Sequence, residues 1–293
     1  MNENNVMIVF RSGESIARTI FNSENVSNCN YYKKNNFISR QLNRIYGLFN
    51  KVNKKAVSDE VKNIKEDTII IFDSLMTNSI LNHIVELYPD KRIILFYWNP
   101  VNTTINPNKV NNKIEIWTYS KSDAIRYNLK YNTTFHSAVL FKNLNVEHIE
   151  GICFIGKDKK RKKKLDYLED KFKKMKYKTN FYITKNRRFD IFSSKKKPIN
   201  YKEVINQSSK YMFILDYYND DKAGMSLRPL EALIMKKNII TNNTAILEEK
   251  INQTGIFHKV DSIKFTFKTI DEDERLEIIE YYSVKSWLRR FNI

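Results

Sequence analysis

The sequence predicts an α/β protein of two domains, each with helices packed on a parallel sheet, and three observations predict it. Short apolar runs without alternation recur along the chain, as in Thr68-Ile69-Ile70-Ile71-Phe72 and Met212-Phe213-Ile214-Leu215, the pattern of strands buried on both faces of a parallel sheet. Segments of helical periodicity separate these runs, so strand and helix alternate. The chain has 293 residues, 42% of them apolar, enough for two domains of ~150 residues with a core each.

Composition sets further bounds. There are six glycines, five prolines and no repeat or low-complexity tract, so no long disordered segment is expected. The start, MNENNVMIVF, lacks the basic and apolar regions of a secretion signal, and no apolar run approaches the ~20 residues that cross a bilayer, so a cytoplasmic chain is expected. Cys29 and Cys153 then read as free thiols of a reducing cytosol. Lys and Arg exceed Asp and Glu by 18, an excess that attracts the phosphates of nucleic acid, lipid headgroups or nucleotides without choosing among them.

Taken in order, Val6-Met7-Ile8-Val9-Phe10 is the first buried strand, and Arg11-Ser12-Gly13-Glu14-Ser15 turns into a helix, where a Rossmann-type domain keeps its first ligand loop. Residues 37–55 are helical in pattern. Ile38, Leu42, Ile45, Leu48 and Phe49 form an apolar stripe, and Arg40, Arg44, Lys51, Lys54 and Lys55 lie off it. That stripe suits the core of the domain or the surface of a membrane. The strand at residues 68–72 ends at Asp73, a helix over residues 78–88 stops before Pro89, and a strand over residues 92–98 closes with Trp98-Asn99-Pro100. A strand at residues 114–120 and a helix at residues 123–132 complete the first domain, residues 1–148.

The second domain, residues 149–275, opens with Ile152-Cys153-Phe154-Ile155 followed at once by Gly156 and Lys157-Asp158-Lys159-Lys160-Arg161. Strand, glycine and a helix start with cations nearby form an anion site. Twelve basic and four acidic residues between Lys157 and Lys178 also suit a phosphate-binding stripe, but no helix-turn-helix, zinc-finger spacing or RNA-recognition signature accompanies them, so no nucleic acid is expected as partner. A short helix at residues 201–208 is read as packing Tyr201, Val204 and Ile205 beneath the central strand. That strand, residues 211–216, closes with Asp216; a loop holding Gly224 leads to Ser226, read as an N-cap, with Pro229 in the first helical turn. Glu231, a turn into this helix, is placed for the sugar hydroxyls of a nucleotide whose diphosphate sits on the helix start; Arg228 and Glu231, three apart, also suit an ion pair on a solvated face. Residues 271–291 are helical, with Trp287 and Phe291 as apolar anchors.

The stretch GMSLRPLEALIMKKNIITNN resembles the C-terminal signature of bacterial capsule and lipopolysaccharide glycosyltransferases of two-Rossmann GT-B architecture, and IIIFDS, RIILFYWNP and DAIRYNLKYN resemble segments of the same enzymes in the same order. The resemblance implies two Rossmann-like domains facing across a cleft, with a closing helix, residues 276–293, crossing back to the first. It implies that Glu231 holds the donor ribose, that Gly224, Ser226 and Leu227 lie near the diphosphate, and that Gly156, Lys157, Asp158 and Arg161 face the donor. Asp216 and Arg228 complete the expected donor set, and Arg11, Ser12, Trp98 and Asn99 the acceptor side, where Arg11 contacts a phosphate or is a solvated arginine.

The expected activity is transfer of a glycosyl group (hexosyl type) from a nucleotide diphosphate sugar to a growing surface polysaccharide or a lipid-linked oligosaccharide, at or near the inner-membrane surface. Asp73 is the candidate general base or a helix cap. No metal and no cofactor beyond the sugar nucleotide are expected, since Asp220-Asp221 and Asp271-Glu272-Asp273 precede helix starts and the four histidines show no ligand spacing. A basic nucleic-acid-binding protein and an inactive partner subunit of a capsule-assembly complex are the alternatives.

Overall fold

The computed structural model describes residues 5–11, 16–33, 37–184, 197–219 and 224–293, with the side chains of Phe37, Ile38, Arg40 and Arg44 outside that description. Ser12, the Asp220-Asp221 pair and most of the basic loop before Pro198 therefore lie outside the described residues. The chain divides into two compact units, Met1–Ser137 with Ser283–Ile293, and Ala138–Tyr282.

In the first unit the elements run β1 (Val6–Phe10), α1 (Ile16–Ser23), β2 (Asn28–Asn30), α2 (Phe37–Leu48), α3 (Asp59–Lys62), β3 (Thr68–Phe72), α4 (Asn78–Leu87), β4 (Arg92–Tyr97), β5 (Ile114–Thr118), α5 (Lys121–Tyr127) and β6 (Lys130–Tyr131). The second holds β7 (Ile149–Lys157), α6 (Lys162–Lys174), β8 (Lys178–Thr184), α7 (Tyr201–Ser208), β9 (Tyr211–Asp216), α8 (Arg228–Ile234), β10 (Asn238–Thr241), β11 (Phe257–Lys259) and α9 (Glu272–Tyr281). The last helix, α10 (Val284–Arg289), returns to the first unit.

Both sheets are parallel throughout, in the orders β2-β1-β3-β4-β5-β6 and β11-β10-β9-β7-β8. The fold class is thus α/β with two doubly wound units. Counted within its own unit, each sheet begins with the order 2-1-3-4-5, so each has one place where the connections reverse direction: between β1 and β3, and between β7 and β9. In such sheets the crevice at the carboxyl ends of the strands beside that reversal is the preferred ligand position.

The strands form where the apolar runs predict them because both faces are covered. Every residue of β3 and β10 is buried. The first core gathers Val9, Ile69, Ile71, Leu95 and Tyr97 with Ile80 and Ile84 of α4; the second gathers Ile152, Phe154, Phe213 and Leu215 with Leu165, Leu168 and Phe172 of α6. Residues 138–148, read from sequence as part of the first domain, lie in the second unit, where Phe141, Leu140 and Leu144 pack with Ile205, Ile214 and Met235.

The closing helix behaves as the resemblance implies. The Trp287 ring lies 4.4 Å from that of Phe135 and 5.0 Å from that of Phe96, and Phe291 lies 4.8 Å from Trp117. Arg290 Nε donates to Asn132 Oδ1 at 2.7 Å, and Asn132 Nδ2 donates to the Trp287 carbonyl at 3.0 Å. The single helix expected over residues 271–291 is two, because Ser283 is extended and caps a new start, its side chain accepting from Ser286 N.

Other expectations shift. The helix read over residues 123–132 is α5 followed by β6; Asn128, with φ 52°, ends the helix in the left-handed region that Asn tolerates. The apolar stripe of α2 does not face the core: Leu42, Ile45, Leu48 and Phe49 are exposed while the polar Asn43 is buried. Among the described residues no helix is long and apolar enough to cross a membrane. Cys29 and Cys153 are free and buried, and burial pushes both thiols up to about 12.

Candidate functional site

The reversal in the second sheet gathers charge. Phe154 and Gly156 of β7 are two apart and so point to one side of the sheet. The Arg161 and Arg228 guanidinium carbons lie 5.0 and 5.3 Å from the centre of the Phe154 ring, within the range of a cation–π contact. Gly156 makes room for both. A Cβ built there would meet Arg228 Nη2 at 2.6 Å, the Phe154 ring edge at 3.3 Å and Arg161 Nη2 at 3.7 Å.

Hydrogen bonds hold each arginine to the strand ends. Arg161 Nη1 donates to the Tyr217 carbonyl across the reversal and Nη2 to the Lys157 carbonyl at 3.3 Å, while its buried Nε has no hydrogen-bond partner. Arg228 Nη2 donates to the Ile155 carbonyl at 2.8 Å and Nη1 to Asp216 Oδ1 at 3.2 Å. Asp216 is 1% exposed, and Ser226 Oγ lies 3.2 Å from both its carboxylate oxygens. Burial raises the Asp216 carboxyl, with Arg228 and Ser226 pulling it back.

The cations oppose one another. Arg161 is pushed down to about 10 by burial and then by the charge of Arg228. Lys159, an exposed residue, is held below its ordinary range by desolvation and by Arg161, Arg228 and Lys157. Lys159 and its neighbour Lys160 have φ values of 45° and 65°, a left-handed pair in the β7–α6 turn that lysine rarely adopts. Strained turns of that kind gather at ligand-binding loops. Burial acts against the charge of Arg228, but Asp216 and Glu231 hold it above its ordinary range, so Arg161 and Lys159 are the cations at this carboxyl edge that an anion would stabilise.

The remaining donor-side residues surround this cluster or support it. Asp158 is buried; its Oδ1 accepts from Lys162 N at 2.8 Å at the start of α6, whose N-cap position is Arg161, and Lys157 is exposed. Ser226 is not the N-cap expected of it. Leu227 holds that position with helical φ and ψ, and Ser226 Oγ accepts from Arg228 N at 3.2 Å while bridging to Asp216. Gly224 is buried beside Met225. Glu231 is 6% exposed, with Oε1 accepting from Tyr201 Oη at 2.7 Å, so it is not part of a solvated ion-pair face. Tyr201 does more than pack beneath the sheet; burial and the Glu231 carboxylate push its hydroxyl well above the ordinary range.

The first unit collects its candidates at the matching place. Arg11 Nη1 donates to the Leu75 carbonyl at 2.5 Å across the β1–β3 reversal. Asp73 is 1% exposed; its Oδ1 accepts from Trp98 N at 3.0 Å and both its oxygens accept from Asn99 Nδ2 at 3.1 Å. It does not cap α4, whose cap is Thr77. Burial raises Asp73 to about 6, with the Trp98 and Asn99 hydrogen bonds acting against it. The Trp98 ring turns inward, 4.6 Å from Phe135 and 5.1 Å from Phe72.

Sequence reasoning missed Phe154, Lys159 and the polar role of Tyr201. The spacing Phe154-x-Gly156 before a cationic turn was the available signal for the first two. Nothing in the sequence couples Tyr201 to Glu231, thirty residues on. Among the described residues no group of three or more His, Cys, Asp or Glu side chains is placed to hold a metal ion. The acidic run at residues 271–273 starts α9: Asp271 accepts from Asp273 N and Glu274 N, and Glu272 pairs with Lys236 and Arg275.

No protein-family model matches the chain, and no curated protein matches it in sequence. Solved structures do. The chain is similar to a putative UDP-N-acetylglucosamine 2-epimerase from Listeria monocytogenes, at 8% identity and TM-score 0.42 over 94% of this chain and 86% of that one. It is similar to the spinosyn forosaminyltransferase, at 10% identity and TM-score 0.46 over 99% and 98%. It is also similar to a UDP-N-acetylglucosamine 2-epimerase, at 11% identity and TM-score 0.47 over 99% and 94%.

Proposed function

We propose that this chain is a glycosyltransferase that binds a nucleotide diphosphate sugar on its second unit and passes the sugar to a hydroxyl acceptor. The observation that carries this reading is the pair Arg161 and Arg228, set on one aromatic ring over a glycine at the β7–β9 reversal. A diphosphate carries the negative charge that one aspartate, Asp216, does not supply to two guanidinium groups. In the transfer step negative charge grows on the leaving diphosphate, and fixed cations in a partly dry site stabilise it more in the transition state than in the bound donor. Arg161, Arg228 and Lys159 take that task in this proposal, without a metal ion. Glu231, held by Tyr201, takes the ribose hydroxyls.

The acceptor belongs to the first unit. The motif resemblance supports a bacterial surface glycan, growing or lipid-linked, as that acceptor. Asp73 enters as the residue that fixes the Trp98-Asn99 turn, and Arg11 as the cation of that edge; the acceptor hydroxyl's base is left unassigned, because the Asp73 oxygens are already engaged.

A thermal-shift titration with UDP, GDP, CDP and CMP on the natural chain and on Glu231→Ala tests the donor site. A nucleotide at a hundred times its dissociation constant adds ~2.7 kcal/mol of stability, a rise of several degrees in Tm. One nucleotide raising Tm in the natural chain and not in Glu231→Ala is the expected result. If none does, and a random oligonucleotide stabilises the chain at low salt only, the proposal fails and the basic helix α6 is a nucleic-acid surface.

A further inference from the structure

Helix α2 is turned with its apolar side away from the fold. Asn43 and Gly47 are four apart and form one side of the helix, while Leu42, Ile45, Tyr46 and Phe49 form the other. It is the polar side that meets the protein. Asn43 is 4% exposed and its Oδ1 accepts from Asn53 Nδ2 at 3.0 Å, and a Cβ on Gly47 would touch Thr77 Cγ2 at 3.8 Å. The other side stands in solvent, with Leu48 84% and Phe49 72% exposed and Leu42, Ile45 and Tyr46 exposed beside them. An apolar face of this kind on a soluble surface marks an interaction site.

The charge around it selects the occupant. Residues 25–58 hold seven Lys and Arg and no Asp or Glu, and Lys51, Lys54 and Lys55, just beyond the helix, are exposed. A helix with one large apolar side and cations about it lies in the plane of an anionic bilayer, apolar side chains ~5–10 Å into the headgroup boundary. A second copy of the chain would set this cation-rich stretch against itself, with Lys33 paired to Asp59 but Lys51, Lys54 and Lys55 exposed. The phosphate backbone of a nucleic acid would leave Leu42, Ile45 and Phe49 uncovered.

We propose that α2 docks the first unit on an anionic lipid surface through Leu42, Ile45, Leu48 and Phe49, with Lys51, Lys54 and Lys55 on the headgroups. The inference rests on α2 alone and not on the Arg161 and Arg228 site, so each fails without the other.

Flotation of the full chain with vesicles of phosphatidylcholine, and of two parts phosphatidylcholine to one part phosphatidylglycerol, tests it. The chain should float with the mixed vesicles and far less with phosphatidylcholine alone. The double variant Leu48→Glu/Phe49→Glu alters two exposed side chains, so Tm and nucleotide binding should hold while membrane affinity falls ~10-fold or more. Lys51→Glu, Lys54→Glu and Lys55→Glu should each weaken binding to the mixed vesicles by a factor of ~5 or more. Four results would overturn the proposal: no flotation with either vesicle, flotation unchanged by the double variant, a dimer that the double variant dissociates, or oligonucleotide binding that it abolishes.

Discussion

The two sheets reverse direction at equivalent places, and at each an aspartate ends the central strand while an arginine from the neighbouring turn reaches across. Asp73 ends the run of β3, and Arg11 donates to the Leu75 carbonyl beyond it; Asp216 ends β9, and Arg161 donates to the Tyr217 carbonyl. Both carboxylates are 1% exposed, and burial raises both. The difference is in what answers that burial. Among the described residues the hydrogen bonds to Asp73 come from neutral groups, the Trp98 N–H and the Asn99 amide among them. Asp216 faces Arg228, which shares the Phe154 ring with a second arginine. One framework thus leaves the aspartate of the first unit to hydrogen bonds from neutral groups, and sets the aspartate of the second unit against an arginine with a further arginine on the same ring.

The contrast breaks most sharply at Arg228. Its side chain is 23% exposed, and removing one member of a largely buried pair costs ~3–5 kcal/mol. Arg228→Ala should lower Tm by roughly 10 °C, at ~2–4 °C per kcal/mol for a chain of this size. Asp216→Asn added to it should restore part of the loss, because the uncompensated charge is then gone; no recovery would show that packing, not charge, is what Arg228 supplies.

At Asp73 the hydrogen bonds from neutral groups do not offset the burial, and the consequence depends on pH. Its carboxyl stands at about 6 in the folded chain against 3.8 as its ordinary value, so between those values the folded state binds more protons than the unfolded one. The stability this group contributes is present below pH ~4 and lost as pH rises through ~6, a swing of ~3 kcal/mol at 1.36 kcal/mol per pKa unit. The Tm of the natural chain minus that of Asp73→Asn should therefore fall between pH 4.5 and 7.5. A flat difference would mean that the carboxylate is solvated and the two edges differ less than their geometry indicates.

Gly156→Ala sharpens the comparison with a smaller effect on stability. The new methyl group pushes on the flexible end of Arg228, so the fold should lose only ~1 kcal/mol while nucleotide affinity drops ~10-fold. Tyr201→Phe should cost a similar ~1 kcal/mol of stability for the lost hydrogen bond to Glu231, with a smaller, ~5-fold loss in nucleotide affinity.

Much of this fold is legible in the sequence for one physical reason. A strand covered on both faces must be apolar throughout, and β3, β4, β7, β9 and β10 all announce themselves in that way. The sheet edges do not. Asn28-Cys29-Asn30 of β2 and Lys130-Tyr131 of β6 are short, polar and defined only by pairing with β1 and β5. The rotation of α2 is likewise unreadable, since periodicity gives a stripe but not the direction it faces. In the site, Asp216, Arg228, Gly156 and Arg161 can each be suspected from strand ends and motifs. Their meeting on Phe154 depends on β7 and β9 being neighbours, a property of the sheet order that no local pattern carries.

The most direct measurement is calorimetric titration of UDP, GDP and CDP, and of the monophosphate of whichever base binds, into the natural chain and Arg161→Gln. A diphosphate seated on these cations predicts that one nucleoside diphosphate binds, that its monophosphate binds at least ~10-fold more weakly, and that Arg161→Gln loses a similar factor while keeping its fold; a lost charge-assisted hydrogen bond is worth ~1.5–3 kcal/mol. Equal affinity for the diphosphate in the natural chain and Arg161→Gln would contradict it, because the diphosphate would then lie away from the cations of the β7–β9 edge.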